Sequence, residues 1–164
     1  MSDEGIVYME IRDALKNNLK GEALTNALDF VDYLTEKNIT PNKEWDKGFR
    51  FIKNGKSPCL IVFNMQNNGE WFICDVPVVS EPEWDSISND LKEFIIANIK
   101  ICNVHQGNPC GCGSEPGISK SIFGKVHNNV CTSEIQFINP DSDVLNKLKK
   151  IIDWWEINVI MNNT

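Results

Sequence analysis

Between Cys102 and Cys131 the chain gathers four of its six cysteines and both of its histidines: Cys102, His105, Cys110, Cys112, His127 and Cys131. Thiolate sulfur and imidazole nitrogen are the usual ligands of zinc, and a structural zinc takes four of them in a tetrahedron. Cys110-Gly-Cys112 offers two sulfurs to one ion, because the glycine between them lets the backbone bend tightly. Cys102 and Cys131 complete a four-sulfur metal set, with His105 or His127 as substitutes. The spacing departs from the paired C-x-x-C of common zinc modules. Packing also accounts for two of these thiols: Cys102 continues a helical stripe three residues after Ile99, and Cys131 sits in a strand-like run. The pair Cys110 and Cys112 admits a second chemistry. Two thiols one glycine apart can close a small strained disulfide, and strained disulfides are the labile, redox-active kind. A reactive thiolate needs a nearby cation or helix N-terminus, and Lys120 and Lys125 are the cations nearest in sequence.

The segment that must position these groups, Asn103 to Lys120, has no apolar period. Gly107, Pro109, Gly111, Gly113, Pro116 and Gly117 break any regular element. A structureless run of about 18 residues is uncommon in a compact domain and is usually functional or disordered. Ordering it costs about 1–2 kcal/mol per residue in backbone entropy, which a bound metal offsets. Other catalytic patterns are missing. Gly124-Lys125 is no phosphate loop, since Ser119 stands where a glycine is required and Val126 follows the lysine. There is no G-x-G-x-x-G, G-x-S-x-G or H-E-x-x-H. The sequence therefore points away from an enzyme.

Around this segment the pattern alternates between helical and strand periods. Val7, Ile11, Leu15 and Leu19 predict a helix over 6–19, and Leu24, Ala27, Leu28, Val31 and Leu34 a second that closes at Asn38 before Pro41. Phe49 and Phe51, the Asn54-Gly55 turn, the run Cys59 to Phe63, the Asn68-Gly69 turn and the run Trp71 to Val76 predict a three-stranded meander. Ser80, Pro82 and Glu83 suit a helix start, with Ser88 as a second start, and Ile87, Leu91, Phe94, Ile95 and Ile99 continue the stripe. Ile122 to Val126 and Val130 to Ile138 predict a hairpin turning at Asn128-Asn129. Asn139 as cap and Pro140 as first helical residue open a last helix striped by Val144, Leu145, Leu148, Ile151, Ile152, Trp155 and Val159. Trp154, Ile157 and Ile160 widen its apolar face, which suits burial against the first helix or a homodimer contact. The order of elements predicts an α+β fold: an antiparallel sheet of about five strands, the meander plus the later hairpin, with helices mainly on one face.

The chain of 164 residues suits a single domain, 1–164, in which 1–20 is an additional N-terminal helix. A net charge of −7 with no dense basic run argues against a nucleic-acid partner. No apolar stretch approaches a membrane span, and the N-terminus Met1-Ser-Asp-Glu-Gly lacks the features of a secretory signal. Together with Cys59 and Cys74 placed in apolar strands, this predicts a cytoplasmic protein with reduced thiols, no membrane partner, and a protein partner or homodimer left open.

Trp45, Gly48-Phe49-Arg50-Phe51, Trp71, the helix Leu91 to Ile101, the cysteine-bearing loop, Ile122-Phe123-Gly124-Lys125, Val130-Cys131 and Asn139-Pro140-Asp141 occur in that order. In this combination the chain resembles a family of uncharacterised proteins from low-GC Gram-positive anaerobes, over roughly Leu28 to Trp155. In that family the loop carries C-x-x-C-like pairs, where this chain has Cys110-Gly-Cys112. The resemblance implies the fold and a cytosolic setting, and no activity. The tryptophan-bearing meander followed by a helix is also similar, more faintly, to YdhG-like small α+β domains. Fold likeness does not fix function. The expectation is a non-enzymatic cytosolic domain whose Cys/His loop binds a metal such as zinc. The rivals are a thiol redox protein using Cys110 and Cys112, and a protein-interaction module with no metal.

Overall fold

The computed structural model describes residues 3–63, 68–77, 84–102 and 117–161, with backbone alone at 3–6 and 132–134. Two helices open the chain, α1 (Asp3–Asn18) and α2 (Gly21–Glu36). The second ends as its sequence demands. Asn38 takes φ +57, the Asn38 N–H reaches the Thr35 carbonyl at 2.9 Å, and the Ile39 N–H reaches the Leu34 carbonyl at 3.0 Å. These are the paired bonds of a Schellman closure.

Four antiparallel strands follow: β1 (Thr40–Trp45), β2 (Gly48–Lys53), β3 (Lys56–Phe63) and β4 (Trp71–Cys74). The meander β2–β3–β4 is the one read from sequence, with Asn54 and Gly55 at φ +51 and +73 in its first turn and Gly69 at φ +75 before β4. Strand β4 stops at Cys74, short of the Val76 expected, where Asp75 turns into the left-handed region at φ +56. Strand β1 has no apolar alternation and was missed. It is an edge strand, where Pro41 costs no ladder hydrogen bond. Trp45 lies over Gly48, so its ring occupies the space where a Cβ would sit.

The capping box at Ser80 to Glu83 lies outside the described residues. The described helix is α3 (Asn89–Ala97), with Ser88 at its N-cap. It ends sooner than its stripe suggests. Ile99–Ile101 is strand β5, and Cys102 follows a strand, not a helix. The later hairpin is β6 (Ile118–Ile122) and β7 (Lys125–Ile138). Its turn is Phe123-Gly124, at φ +48 and +72, rather than Asn128-Asn129. Asn129, at φ +57, instead kinks the interior of β7. The last helix, α4 (Ser142–Trp155), continues into a π turn over Glu156–Ile160. Its cap is Asp141, whose carboxylate accepts from the Val144 N–H at 2.9 Å. Asn139 anchors the sheet: its N–H donates to the Trp71 carbonyl, and its side-chain oxygen accepts from the Trp71 N–H at 3.0 Å.

The fold is therefore α+β with an antiparallel sheet. Seven strands are present among the described residues, more than the five expected, because β1 and β5 lack readable patterns. They run in the order β1-β2-β3-β4-β7-β5, with β6 also paired to β7. Alternation puts Phe49, Phe51, Cys59, Ile61, Phe63, Trp71, Ile73, Ile135 and Phe137 on one face. They share a single core with Leu15, Phe30, Leu34, Ile95, Leu148 and Ile152 from the four described helices. Leu60, Val62, Cys74 and the half-buried Phe72 form a small cluster on the other face. Trp154 stacks on Trp84 with centroids 4.5 Å apart, and its indole N–H donates to Ser86 Oγ at 2.7 Å. No helix among the described residues is long and apolar enough to cross a membrane.

Candidate metal centre

Cys110, Cys112 and His105 lie outside the described residues; Cys102, Cys131 and His127 lie within them. Strand pairing decides where the last three fall. Val130 of β7 faces Ile101 of β5 on one side and Ile118 of β6 on the other. Immediately beyond, the Cys102 N–H donates to the Asn129 carbonyl at 2.6 Å. Gly117 closes on the same point. A Cβ there would lie 2.6 Å from the Asn129 carbonyl carbon and oxygen and 2.6 Å from Cys102 Cβ. The glycine is needed because two backbones and a side chain already fill that space.

The 103–116 connection thus leaves the sheet at Cys102 and returns at Gly117, and these two ends touch over Asn129. Cys131 is two residues further along β7. Its side chain is fully buried and that of Cys102 nearly so, at 4% exposure. Neither belongs to the two apolar clusters of the sheet. The thiol at the neck is therefore that of Cys102, with the buried Cys131 two residues from Asn129 along β7, and the connection itself carries two more thiols and an imidazole in its sequence.

His127 faces Lys120 across the β6–β7 hairpin, and its Nε2 is buried without a hydrogen-bond partner. It does not complete a site with the two cysteines: among the described residues, no three His, Cys, Asp or Glu side chains come together as metal ligands. A tetrahedral centre at the neck would have to draw its remaining ligands from Cys110, Cys112 or His105.

The other two cysteines are core residues, as their strand positions suggested. Burial pushes the Cys59 thiol far above its ordinary range, and the Cys74 thiol, also mainly by burial, up to about 12. Both are protonated and unreactive at neutral pH. What the sequence left unread was the neck. Its signals were Gly117 and Asn129, which look like loop punctuation until the register of β5 and β6 against β7 brings them together.

No family model matches the chain, and no match was found among curated proteins or solved structures.

Proposed function

We propose that this chain is a non-enzymatic cytosolic domain that binds one transition-metal ion, zinc by the softness of its donors, at the neck of the 103–116 connection. Cys102 and Cys131 supply sulfur from the sheet, and Cys110 and Cys112 from the connection, with His105 as the substitute ligand. The observation that supports this reading is the contact of Cys102 with Gly117 over Asn129, which brings the two ends of a thiol-bearing connection together at one buried thiol, with the buried Cys131 two residues from Asn129 along β7. A buried thiol stays neutral unless a cation compensates its charge, and a coordinated metal deprotonates it outright. Metal binding would also offset the entropy of ordering the connection. Reduced thiols of this kind belong in a reducing compartment, in keeping with the cytosolic family the sequence resembles.

Elemental analysis of the purified full chain tests the proposal. The expected result is about one zinc per chain, lost in the double variant Cys110→Ser/Cys112→Ser, with a lower melting temperature after chelation. No stoichiometric metal, together with melting unchanged by chelation, removes the reading.

A further inference from the structure

The two Asn-Gly pairs of the chain, Asn54-Gly55 and Asn68-Gly69, carry a chemistry that the metal reading does not use. In such a pair the glycine amide nitrogen can attack the asparagine Cγ, because the glycine has no Cβ to shield it. The N–Cγ bond forms, the Cγ–Nδ2 bond breaks, and ammonia leaves with the proton of the glycine N–H. The product is a cyclic imide. Water then opens the ring, at Cγ to give aspartate or at the main-chain carbonyl carbon to give isoaspartate, with no change of oxidation state. The attack needs an asparagine side chain that can swing toward the following nitrogen, so hydrogen bonds that hold the side chain elsewhere oppose it.

The two pairs differ in this respect. Asn54 and Gly55 form the exposed tip of the β2–β3 hairpin, at φ +51 and +73, between the paired residues Lys53 and Lys56. The cross-turn hydrogen bond of such a turn joins its outer residues and does not use the Gly55 N–H. The Asn54 side chain has no hydrogen bond or ion pair among the described residues. The lysines on either side reach elsewhere: Lys53 pairs with Glu156, and Lys56 donates to the Val159 carbonyl at 3.1 Å. Asn68, by contrast, is held. Its Oδ1 accepts from the Glu70 N–H at 3.1 Å, an Asx turn, and its Nδ2 donates to Glu70 Oε2 at 2.5 Å. Room does not separate the pairs, since a Cβ at either glycine would meet nothing within 4 Å.

We propose that Asn54 is a site of spontaneous modification, converting through the cyclic imide to isoaspartate and aspartate in the folded chain, while the Asx turn protects Asn68. Conversion places a carboxylate in the turn between Lys53 and Lys56, and the isoaspartyl form adds a carbon to the main chain of a two-residue loop whose length sets the β2–β3 register. Because both sites carry the same dipeptide, the difference in their rates measures the restraint on Asn68. Hydrogen bonds worth about 1.4 kcal/mol, broken before the attack, slow it about tenfold.

The test is incubation of the full chain in mildly alkaline buffer, followed by peptide mapping with mass spectrometry to read conversion of amide to acid at each asparagine. An isoaspartyl methyltransferase then labels the isoaspartyl product. Asn54 should convert about tenfold faster than Asn68 in the folded chain, carry the isoaspartyl label, and lose its lead in urea. Glu70→Ala, which removes the carboxylate that the Asn68 amide reaches, should speed Asn68 and leave Asn54 unchanged. Equal rates in the folded chain, faster conversion of Asn68, a lead that persists in urea, or an Asn68 rate unmoved by Glu70→Ala overturns the proposal.

Discussion

Replacing Gly117 by alanine probes the neck of the connection directly. The added Cβ would meet three atoms at 2.6 Å: the carbonyl carbon and oxygen of Asn129, and Cys102 Cβ. Unstrained carbon contacts are about 3.5–4.0 Å, so each is short by about 1 Å. Relief is hard to find. Asn129 already sits at φ +57, and the next residue, Val130, is paired on both sides. Cys102 is tied to the Asn129 carbonyl by its own N–H. Overpacking costs about 1–3 kcal/mol when neighbours can shift, and because the obstruction is mainly backbone the expectation is the upper part of that range. For a chain of this size each kcal/mol lowers the melting temperature by about 2–4 °C. Urea and thermal unfolding of Gly117→Ala give the number. Gly55→Ala is the control. Its φ is +73, but nothing lies within 4 Å of the added atom, so only left-handed backbone strain of about 1–2 kcal/mol applies. A Gly117→Ala protein within about 0.5 kcal/mol of the parent, the scale of an ordinary surface change, would show that the neck is not closed as described.

Two further outcomes follow from single contacts. Asp141→Ala removes the carboxylate that accepts from the Val144 N–H and should cost about 0.5–2 kcal/mol in urea unfolding; an unchanged midpoint would deny Asp141 the capping role. At Asp32, burial raises the carboxyl, but hydrogen bonds from Arg12 and Tyr8 outweigh it and hold the group below its ordinary value. A depressed carboxyl contributes stability that is complete above the unfolded value, about 3.9, and is lost as pH falls through the folded value. Asp32→Asn should therefore lower the urea midpoint at pH 7, with the difference shrinking as pH falls below the unfolded value, and a difference independent of pH would refute the linkage.

The elements that could be read from sequence are those with a strong period or unambiguous turn chemistry. Asn38 closed α2 and Asn54-Gly55 turned the first hairpin because left-handed backbone is open to few residues. The apolar stripe of α4 was visible over its whole length because one side of it is core. Asn139 was read as a cap from its type alone, yet Asp141 caps and Asn139 ties Trp71; either residue can do either task, and only the path of the chain chooses. The turn of the last hairpin was misplaced for a related reason. Asn128-Asn129 has the better turn chemistry, but Phe123-Gly124 lets Phe123 pack its ring edge-on against Trp84 at 4.9 Å. That contact adds tertiary stabilisation which offsets the strain of a left-handed phenylalanine.

The candidate site was legible as composition and illegible as geometry. Four thiols and two imidazoles in one stretch can be counted, but where Cys102 falls depends on β5, a strand of three residues too short to show alternation. Once β5 pairs with β7, Cys102 is fixed beside Asn129, and the same strand places Cys131 two residues on. His127, an equally good ligand by type, is carried to Lys120 instead by the slip in register between Ile118 and Lys120. One irregularity, centred where Asn129 turns left-handed, thus separates the histidine from the cysteines and brings Gly117 onto Cys102. Under the proposed ligand set, metal binding and the pairing of β5 are the same event seen from two sides, since Cys102 cannot reach the neck unless Ile101 faces Val130.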